Sequence, residues 1–318
     1  MDALSDVFAA VRLSGGVFLD AEFTAPWCVS SQVGPEEFPQ GVMPAHLIAY
    51  HYVVAGRMHV QVGDAAPLSV EAGEIVLLPR NDAHLLSSAP GLRPSTIDDH
   101  LEPPAGGSPA MLRMGGGGEA TRIVCGLLGC DAPHNPLVAT LPAILKLAMR
   151  DGTGGAWIET SFRHAAAEFA AGGVGSAAVL GKLAELLFVE AVRRYLDNLP
   201  ADQAGWLAGL QDRVVGRALA LLHARVAHSW TTEALAQEVG LSRSAFAERF
   251  SALVGTPPMH YLANWRLQLA ALRLRDSPAS TAQIAYEVGY ESEAAFCRAF
   301  KRHFDTTPAA WRKRQDAG

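Results

Sequence analysis

One pattern occurs twice in the last hundred residues. Leu235-Ala236-Gln237-Glu238-Val239-Gly240-Leu241-Ser242, followed by Phe246, Phe250, Thr256, Pro258 and Tyr261, returns as Ile284-Ala285-Tyr286-Glu287-Val288-Gly289-Tyr290-Glu291-Ser292, followed by Phe296, Phe300, Thr306, Pro308 and Trp311. Ser292 stands 50 positions after Ser242 but Gly289 only 49 after Gly240, so the second turn is one residue longer. Each copy dictates the same local structure. Leu235 and Val239, or Ile284 and Val288, recur at helical spacing and predict a short amphipathic helix. Gly240 or Gly289 ends it where a positive φ is needed. Ser242 or Ser292 caps the next helix by accepting a bond from a free backbone N–H. Phe246 and Phe250, like Phe296 and Phe300, stand four apart and share one buried face. The chain is thereby committed to two helix-turn-helix units, and the outer face of each second helix is free to enter a major groove.

Residues 261–276 carry Trp265, Leu267, Leu269, Ala270, Leu272 and Leu274 among arginines, and predict one helix that fixes the spacing of the two units. Two such readers fit neighbouring groove segments about 34 Å apart. Charge agrees with that role. The whole chain has 26 Lys+Arg against 32 Asp+Glu, a net of −6. From residue 207 onward there are 14 basic and 10 acidic residues, whereas the first 206 hold 12 and 22. A basic tail on an acidic body is the footprint of phosphate neutralisation. Arg298, Lys301, Arg302, His303, Arg312, Lys313 and Arg314 concentrate near the end.

With the closing Thr307-Pro308-Ala309-Ala310-Trp311-Arg312, residues 214–314 resemble the AraC/XylS family of transcription regulators. The resemblance implies an activator that binds double-stranded promoter DNA in a sequence-specific manner and works with RNA polymerase. Its readers would be the helices that start at Ser242 and Ser292. The exposed candidates are Arg243, Ser244, Ala247, Glu248 and Ser251 in the first, and Glu293, Ala294, Cys297, Arg298, Lys301 and Arg302 in the second. Cys297 is expected to face away from the Phe296/Phe300 stripe, toward DNA.

Residues 15–128 read differently. Short β-rich runs at 16–19, 47–54, 58–62, 74–78 and 123–127 alternate with turns at Ala55-Gly56, Gly63-Asp64, Ala72-Gly73 and Arg80-Asn81-Asp82. That spacing predicts an all-β sandwich or barrel. The run 73–84, ending in His84, resembles the second half of a cupin signature, and 50–56 a degenerate first half. Pro26-Trp27, Leu78-Pro79, Val124-Cys125-Gly126 and Leu141-Pro142 match one subgroup of AraC-type regulators with a cupin-type sensor domain. Beyond residue 142, Trp157, Ile158, Phe162 and Phe169 predict one helix, and the apolar stripe from Val179 to Leu196 another, broken at Gly172-Gly173-Val174-Gly175. By resemblance this hairpin is a homodimer surface. The expected architecture is α+β: a cupin-like β-barrel over 1–140, a helical hairpin connector over 141–206 and an all-α double helix-turn-helix domain over 207–318. The Pro- and Gly-rich stretch 89–118, ending in four glycines, is expected to be a mobile insertion outside the core.

Three sensor chemistries follow from the side chains. Enzymatic cupins hold a metal with a His-x-His pair and a carboxylate, and here His51 stands alone in that strand. His51, His84 and Cys125 are nevertheless candidates to converge at the barrel mouth on zinc or another divalent metal, the one cofactor the sequence suggests. His46 and His59 add nearby nitrogen donors. A small ligand in the barrel is the second option. The third is oxidant sensing, since regulators similar to this subgroup respond to oxidising electrophiles and Cys125 lies in the shared landmark. Cys28 is its candidate disulfide partner if their strands are adjacent, and Cys130 an alternative. Arg122 or His84 would have to lower the thiol pKa.

The four cysteines show no metal-finger spacing and are expected to be reduced cytosolic thiols. No apolar run reaches about eighteen residues, so no membrane span is expected. The first residues lack a basic segment followed by an apolar stretch, so a cytoplasmic protein is expected. The rival class is a metal-dependent cupin enzyme with an accessory DNA-binding tail, and the missing His-x-His counts against it. An alkyl-transfer repair protein would need metal-held cysteine clusters, which this sequence lacks.

Overall fold

The computed structural model describes residues 3–11, 13–34, 44, 46–97, 100–103, 110–130, 136–148, 155–171, 173–199 and 204–315. Gly172 of the expected hairpin break lies outside the described residues, as do the side chains of Ile158, Phe162 and Arg314. Contacts divide the chain into two compact units that interleave along the sequence. A helical unit comprises Met1–Val11, His134–Thr140 and Asn198–Gly318, and a sheet unit Arg12–Pro133 and Leu141–Asp197. The expected division at 140 and 206 follows motif order instead. Helices α1 (Ala3–Val11) and α2 (Pro136–Thr140) belong to the helical unit, and the hairpin helices α3 (Gly155–Ala170) and α4 (Ser176–Asp197) to the sheet unit.

In the sheet unit, strands β1 (Ser14–Thr24), β3 (His46–Ala55), β4 (Arg57–Val62), β6 (Glu74–Leu78) and β10 (Ala120–Cys130) each contain one of the expected β-rich runs. They are joined by β2 (Cys28–Ser31), β5 (Leu68–Glu71), β7 (His84–Ser87), β8 (Leu101–Glu102), β9 (Ala110–Gly115) and β11 (Leu145–Ala148). The pairing gives a seven-stranded sheet, β11-β6-β3-β10-β1-β9-β8, and a four-stranded sheet, β2-β7-β4-β5. Between sandwich and barrel, the described strands form two separate sheets rather than one closed ring. β3 and β4 are consecutive yet pair in different sheets. One core joins the sheets: Ala21, Val53, Val76, Ile123 and Cys125 from the first meet Val29, Met58, Val60, Val70 and Leu86 from the second.

The stretch expected as a mobile insertion is partly core. β9 lies parallel to β1 (Leu19↔Ala110 through Thr24↔Gly115), and Leu112 is buried in the joint core. Its alternation, with Leu112 inward and Arg113 outward, runs for only a few residues before the glycines, so it carries little strand signal of its own; pairing with β1 supplies the rest. The glycines that follow permit close approach, since a Cβ on Gly116 would lie 2.5 Å from Pro26 Cδ. Residues 98–99 and 104–109 of this stretch lie outside the described residues.

Helix α4 lies against β1, and two facing glycines allow it: a Cβ on Gly15 would sit 2.3 Å from the Gly181 carbonyl oxygen. The Gly15 amide donates to Glu185 Oε1 at 3.2 Å. The buried face of α4 includes Leu180, Ala184, Leu187, Phe188 and Val192, while Val179 and Leu186, with Trp157 of α3, remain exposed.

The helical unit is built from α5 (Trp206–Gln211), α6 (Arg213–Ala224), α7 (Thr232–Glu238), α8 (Arg243–Val254), α9 (Pro258–Asp276), α10 (Thr281–Glu287), α11 (Glu293–Phe304) and α12 (Pro308–Gln315), with α1 packed on α6 and α9. The linking helix expected from Tyr261 is α9, which starts at Pro258 because proline suits the first helical turn. One end of α9 buries Tyr261, Leu262 and Trp265. The other end supplies Leu267, Ala270, Ala271 and Leu274 to a core with Ile284, Val288, Phe296 and Phe300. The helix therefore belongs to both helix-turn-helix units and fixes their separation.

Candidate functional site

The two reading helices form as the repeated pattern dictates. Gly240 and Gly289 have φ of 76° and 91°, left-handed values that favour glycine. Ser242 Oγ accepts from the Ala245 amide at 3.3 Å, and Ser292 Oγ from the Ala295 amide at 3.2 Å. Phe246 and Phe250 pack edge to face at 5.7 Å and are fully buried, as are Phe296 and Phe300. With those faces spent on the core, the opposite faces are turned out. Ser242, Arg243, Ser244 and Glu248 of α8 are exposed, as are Ser292, Glu293, Ala294, Arg298, Lys301 and Arg302 of α11; Ala247 and Ser251 are half-buried. Cys297 departs from expectation. It is half-buried and packs against the Phe296/Phe300 core, and burial together with Glu293 raises its thiol pKa.

Several arginines that read as generic positive charge hold the unit together. Arg249 forks onto Asp212, whose Oδ1 also accepts from the Val214 and Val215 amides as the cap of α6. Arg273 pairs with Glu287. Arg312, counted above with the terminal basic cluster, donates to the carbonyls of Leu274 (3.0 Å) and Ala279 (2.6 Å). Arg266 on α9 donates to the carbonyls of Val226 (2.9 Å) and His228 (2.8 Å). The turn of the second unit presses on the same guanidinium: a Cβ on Gly289 would lie 2.7 Å from Arg266 Nη2 and 2.8 Å from Ala227 Cα. Sequence reasoning missed this junction, and the only signal for it was an arginine in an otherwise apolar stretch of linker helix.

The sheet unit brings together the three sensor candidates from three strands. Cys125 stands directly across from His51 in the β10–β3 ladder, and His84 begins β7 in the opposite sheet. All three are buried. His51 Nδ1 is 2.9 Å from Cys125 Sγ, His51 Nε2 is 2.7 Å from His84 Nε2, and His84 Nδ1 is 2.8 Å from the Asp82 carbonyl oxygen. Burial lowers the pKa of His51 well below the ordinary value, with His84 adding to the effect. Burial also lowers that of His84, against the opposing pull of Asp82. Both rings are thus neutral at pH 7, and the proton order follows from the far end. The Asp82 carbonyl only accepts, so His84 Nδ1–H donates to it. His84 Nε2 then accepts from His51 Nε2–H, and His51 Nδ1 accepts from the thiol of Cys125.

This linear order does not suit a metal. Cys125 and His84 occupy opposite edges of the His51 ring, so one ion cannot take all three donors. Among the described residues no three His, Cys, Asp or Glu side chains converge. The further donors are placed elsewhere, with His46 Nε2–H donating to the Pro79 carbonyl at 2.5 Å. Nor does Arg122 activate the thiol, because it is bound bidentately to buried Asp20 at 3.1 and 2.7 Å. Burial raises the Cys125 pKa, and the Asp20 charge adds to it. None of the four cysteines is in a disulfide. Trp27 and Val29 share the core of Cys125, so strand alternation turns Cys28, between them, to the other side.

Residues 2–197 match a family model described as cupin, and residues 235–314 one described as a helix-turn-helix domain. The HTH-type transcriptional regulator AlkR of Acinetobacter baylyi is 30% identical over 98% of this chain and 99% of its own length. A protein of Streptomyces antibioticus described as an AraC-like transcription regulator is 35% identical over 98% and 99%. The RCS-specific HTH-type transcriptional activator RclR of Escherichia coli is 26% identical over 99% and 98%. These relatives are regulators, and the rival reading of a metal-dependent cupin enzyme gives way to them. With a cupin sensor region, two helix-turn-helix units and full-length relatives of this kind, the chain belongs to the AraC-type transcription regulators.

Proposed function

We propose that this regulator binds double-stranded promoter DNA as a homodimer in the cytoplasm, acting with RNA polymerase, and that its signal enters at Cys125. The observation that carries the DNA reading is the pair of serine-capped helices on one shared α9. Ser242, Arg243, Ser244, Ala247 and Glu248 are the candidate contacts of the first, and Ser292, Glu293, Ala294, Cys297, Arg298, Lys301 and Arg302 of the second. Cys297, half-buried, contributes through shape rather than as an exposed donor. Capping serines and free N-terminal amides suit phosphate oxygens, and Arg298 suits a guanine edge. The homodimer rests on the exposed apolar residues Trp157, Val179 and Leu186 of the α3–α4 hairpin. Among the described residues no helix is long and apolar enough to cross a membrane.

The test is footprinting on the DNA upstream of the protein's own gene, followed by titration of wild type and Arg298→Ala on the protected fragment and on unrelated DNA. Loss of about 1–3 kcal/mol on the specific fragment alone is expected for base readout. Unchanged promoter affinity would remove Arg298 from the interface, and equal loss on both DNAs would make it a phosphate contact.

A further inference from the structure

Cys125 has a second neighbour besides His51. It lines a cavity of about 180 Å³ on the inner side of the sheets, walled by Phe23, Val29, Leu86 and Leu112, with Ser31 and Gln32 supplying polar groups. The volume is room for about six water-sized groups at roughly 30 Å³ each. A mostly apolar wall of that size selects a short hydrocarbon chain with one polar function. The thiol therefore sits between a neutral imidazole nitrogen that accepts its proton at 2.9 Å and an apolar pocket on the other side, so a nucleophile and its base face a cavity together.

A second thiol is not placed for disulfide chemistry. Cys28 is turned away, and Cys130, five residues along the same strand, lies on the opposite face about 16 Å distant at roughly 3.3 Å per residue. A reaction that needs only one thiol fits better.

We propose that Cys125 is a covalent capture site for small apolar α,β-unsaturated carbonyl compounds, seated in the adjoining cavity, with His51 taking up the thiol proton. The Sγ–H bond breaks as the proton passes to His51 Nδ1. The sulfur lone pair forms a bond to the β-carbon, and the C=C π electrons move toward the carbonyl as an enolate. The proton then returns from His51 to the α-carbon. Thiol and alkene become a thioether with no atom or electron left over, and no oxidant is needed. His84 and the Asp82 carbonyl steady the transient positive charge on His51, because His51 Nε2–H already points at the lone pair of His84 Nε2. Burial keeps the sulfur a thiol in the resting protein, and the mostly apolar wall of the cavity favours an apolar electrophile.

The inference rests on the reading that the signal enters at Cys125, and it is tested on the full-length protein with 2-hexenal as the probe. Intact mass and peptide mapping should show one adduct at Cys125, formed faster than at Cys297, the most exposed of the four thiols. Cys125→Ser should abolish that adduct. His51→Gln, which keeps the thiol, should slow it about a hundredfold, the contribution expected of a general base. Preferential labelling of Cys297, or an unchanged rate in His51→Gln, would overturn the proposal. Promoter binding read in parallel separates the two ideas. A Cys125 adduct with unaltered DNA binding supports the capture site and sinks the signalling reading. A Cys125-dependent response to hypochlorite with no 2-hexenal adduct sinks the capture site and leaves the signalling reading standing.

Discussion

Arg266→Ala tests the junction that holds the second reading unit in place. The guanidinium makes two charge-assisted bonds to backbone carbonyls in the loop between α6 and α7, just ahead of the first unit. The bond to Val226 is partly buried and is worth about 1.5–3 kcal/mol. The bond to His228 is exposed and, discounted for solvent, adds under about 1 kcal/mol. A net destabilisation of about 2–3 kcal/mol is expected, since alanine leaves the Val226 carbonyl partly unsatisfied. Urea unfolding followed by tryptophan fluorescence reads it directly, because Trp206, Trp230, Trp265 and Trp311 all lie in the helical unit. At a slope of about 2 kcal/mol per M, the midpoint of that unit should fall by about 1 M. Arg266→Lys keeps the charge but not the fork, and should recover less than half of the loss. Gly289→Ala should cost more, because its Cβ meets the Ala227 backbone, which cannot swing aside, and the residue keeps a φ of 91°. In the double variant the contact with the guanidinium disappears, so the two losses should sum to more than the measured total. A loss below about 0.5 kcal/mol for Arg266→Ala, or strict additivity with Gly289→Ala, would refute the clamp.

Three further expectations follow from the packing and the titrations. Phe300→Ala removes a fully buried ring at the centre of the second core and should destabilise by about 3–5 kcal/mol, with protection lost over one half-site of the footprint before the other; uniform loss would contradict the division between the two ends of α9. His223 is buried, stacks on Trp265 at 4.3 Å, and accepts from Tyr261, whose own oxygen accepts from Trp206. Burial pushes its pKa down to about 4. A histidine depressed in the folded state contributes stability above its unfolded pKa of about 6.5 and loses it as pH falls toward the folded value, by a total of about 3 kcal/mol. Unfolding free energy measured between pH 7 and 4 should show that slope, and His223→Gln should remove it. Gly181→Val places branched carbons against the backbone of Gly15 and should cost at least about 1–3 kcal/mol; a sheet unit of unchanged stability would mean that α4 does not seat on β1 as described.

How far the residues alone reach differs between the two units. In the helical unit, capping serines, turn glycines and phenylalanines four apart are local instructions, and each produced the expected element. Cys297 is the exception. It is not one of the two stripe phenylalanines, but it lies beside Phe296 on the same flank of α11, and the core of α9, α10 and α12 is broad enough to cover it. In the sheet unit, short β-rich runs bounded by turn residues announced five strands. β9 was hidden because Leu112 finds its partners 91 or so positions away on β1, and nothing in its own neighbourhood says so.

Local patterns were enough to announce two DNA-reading units in the last hundred residues, one helix joining them, and a β-rich sensor region ahead of them. These follow from periodicity, capping and turn chemistry, which act within a few residues. That Cys125, His51 and His84 form a line rather than a ring of donors emerged from the folded sheets alone. The contacts span 74 and 33 residues. They depend on strand register, which sets Cys125 opposite His51, and on the packing of one sheet over the other, which brings His84 to the far edge of the His51 ring. Register and sheet packing are settled by the whole core at once, so no local pattern could announce which of the candidate donors would meet, or in what order.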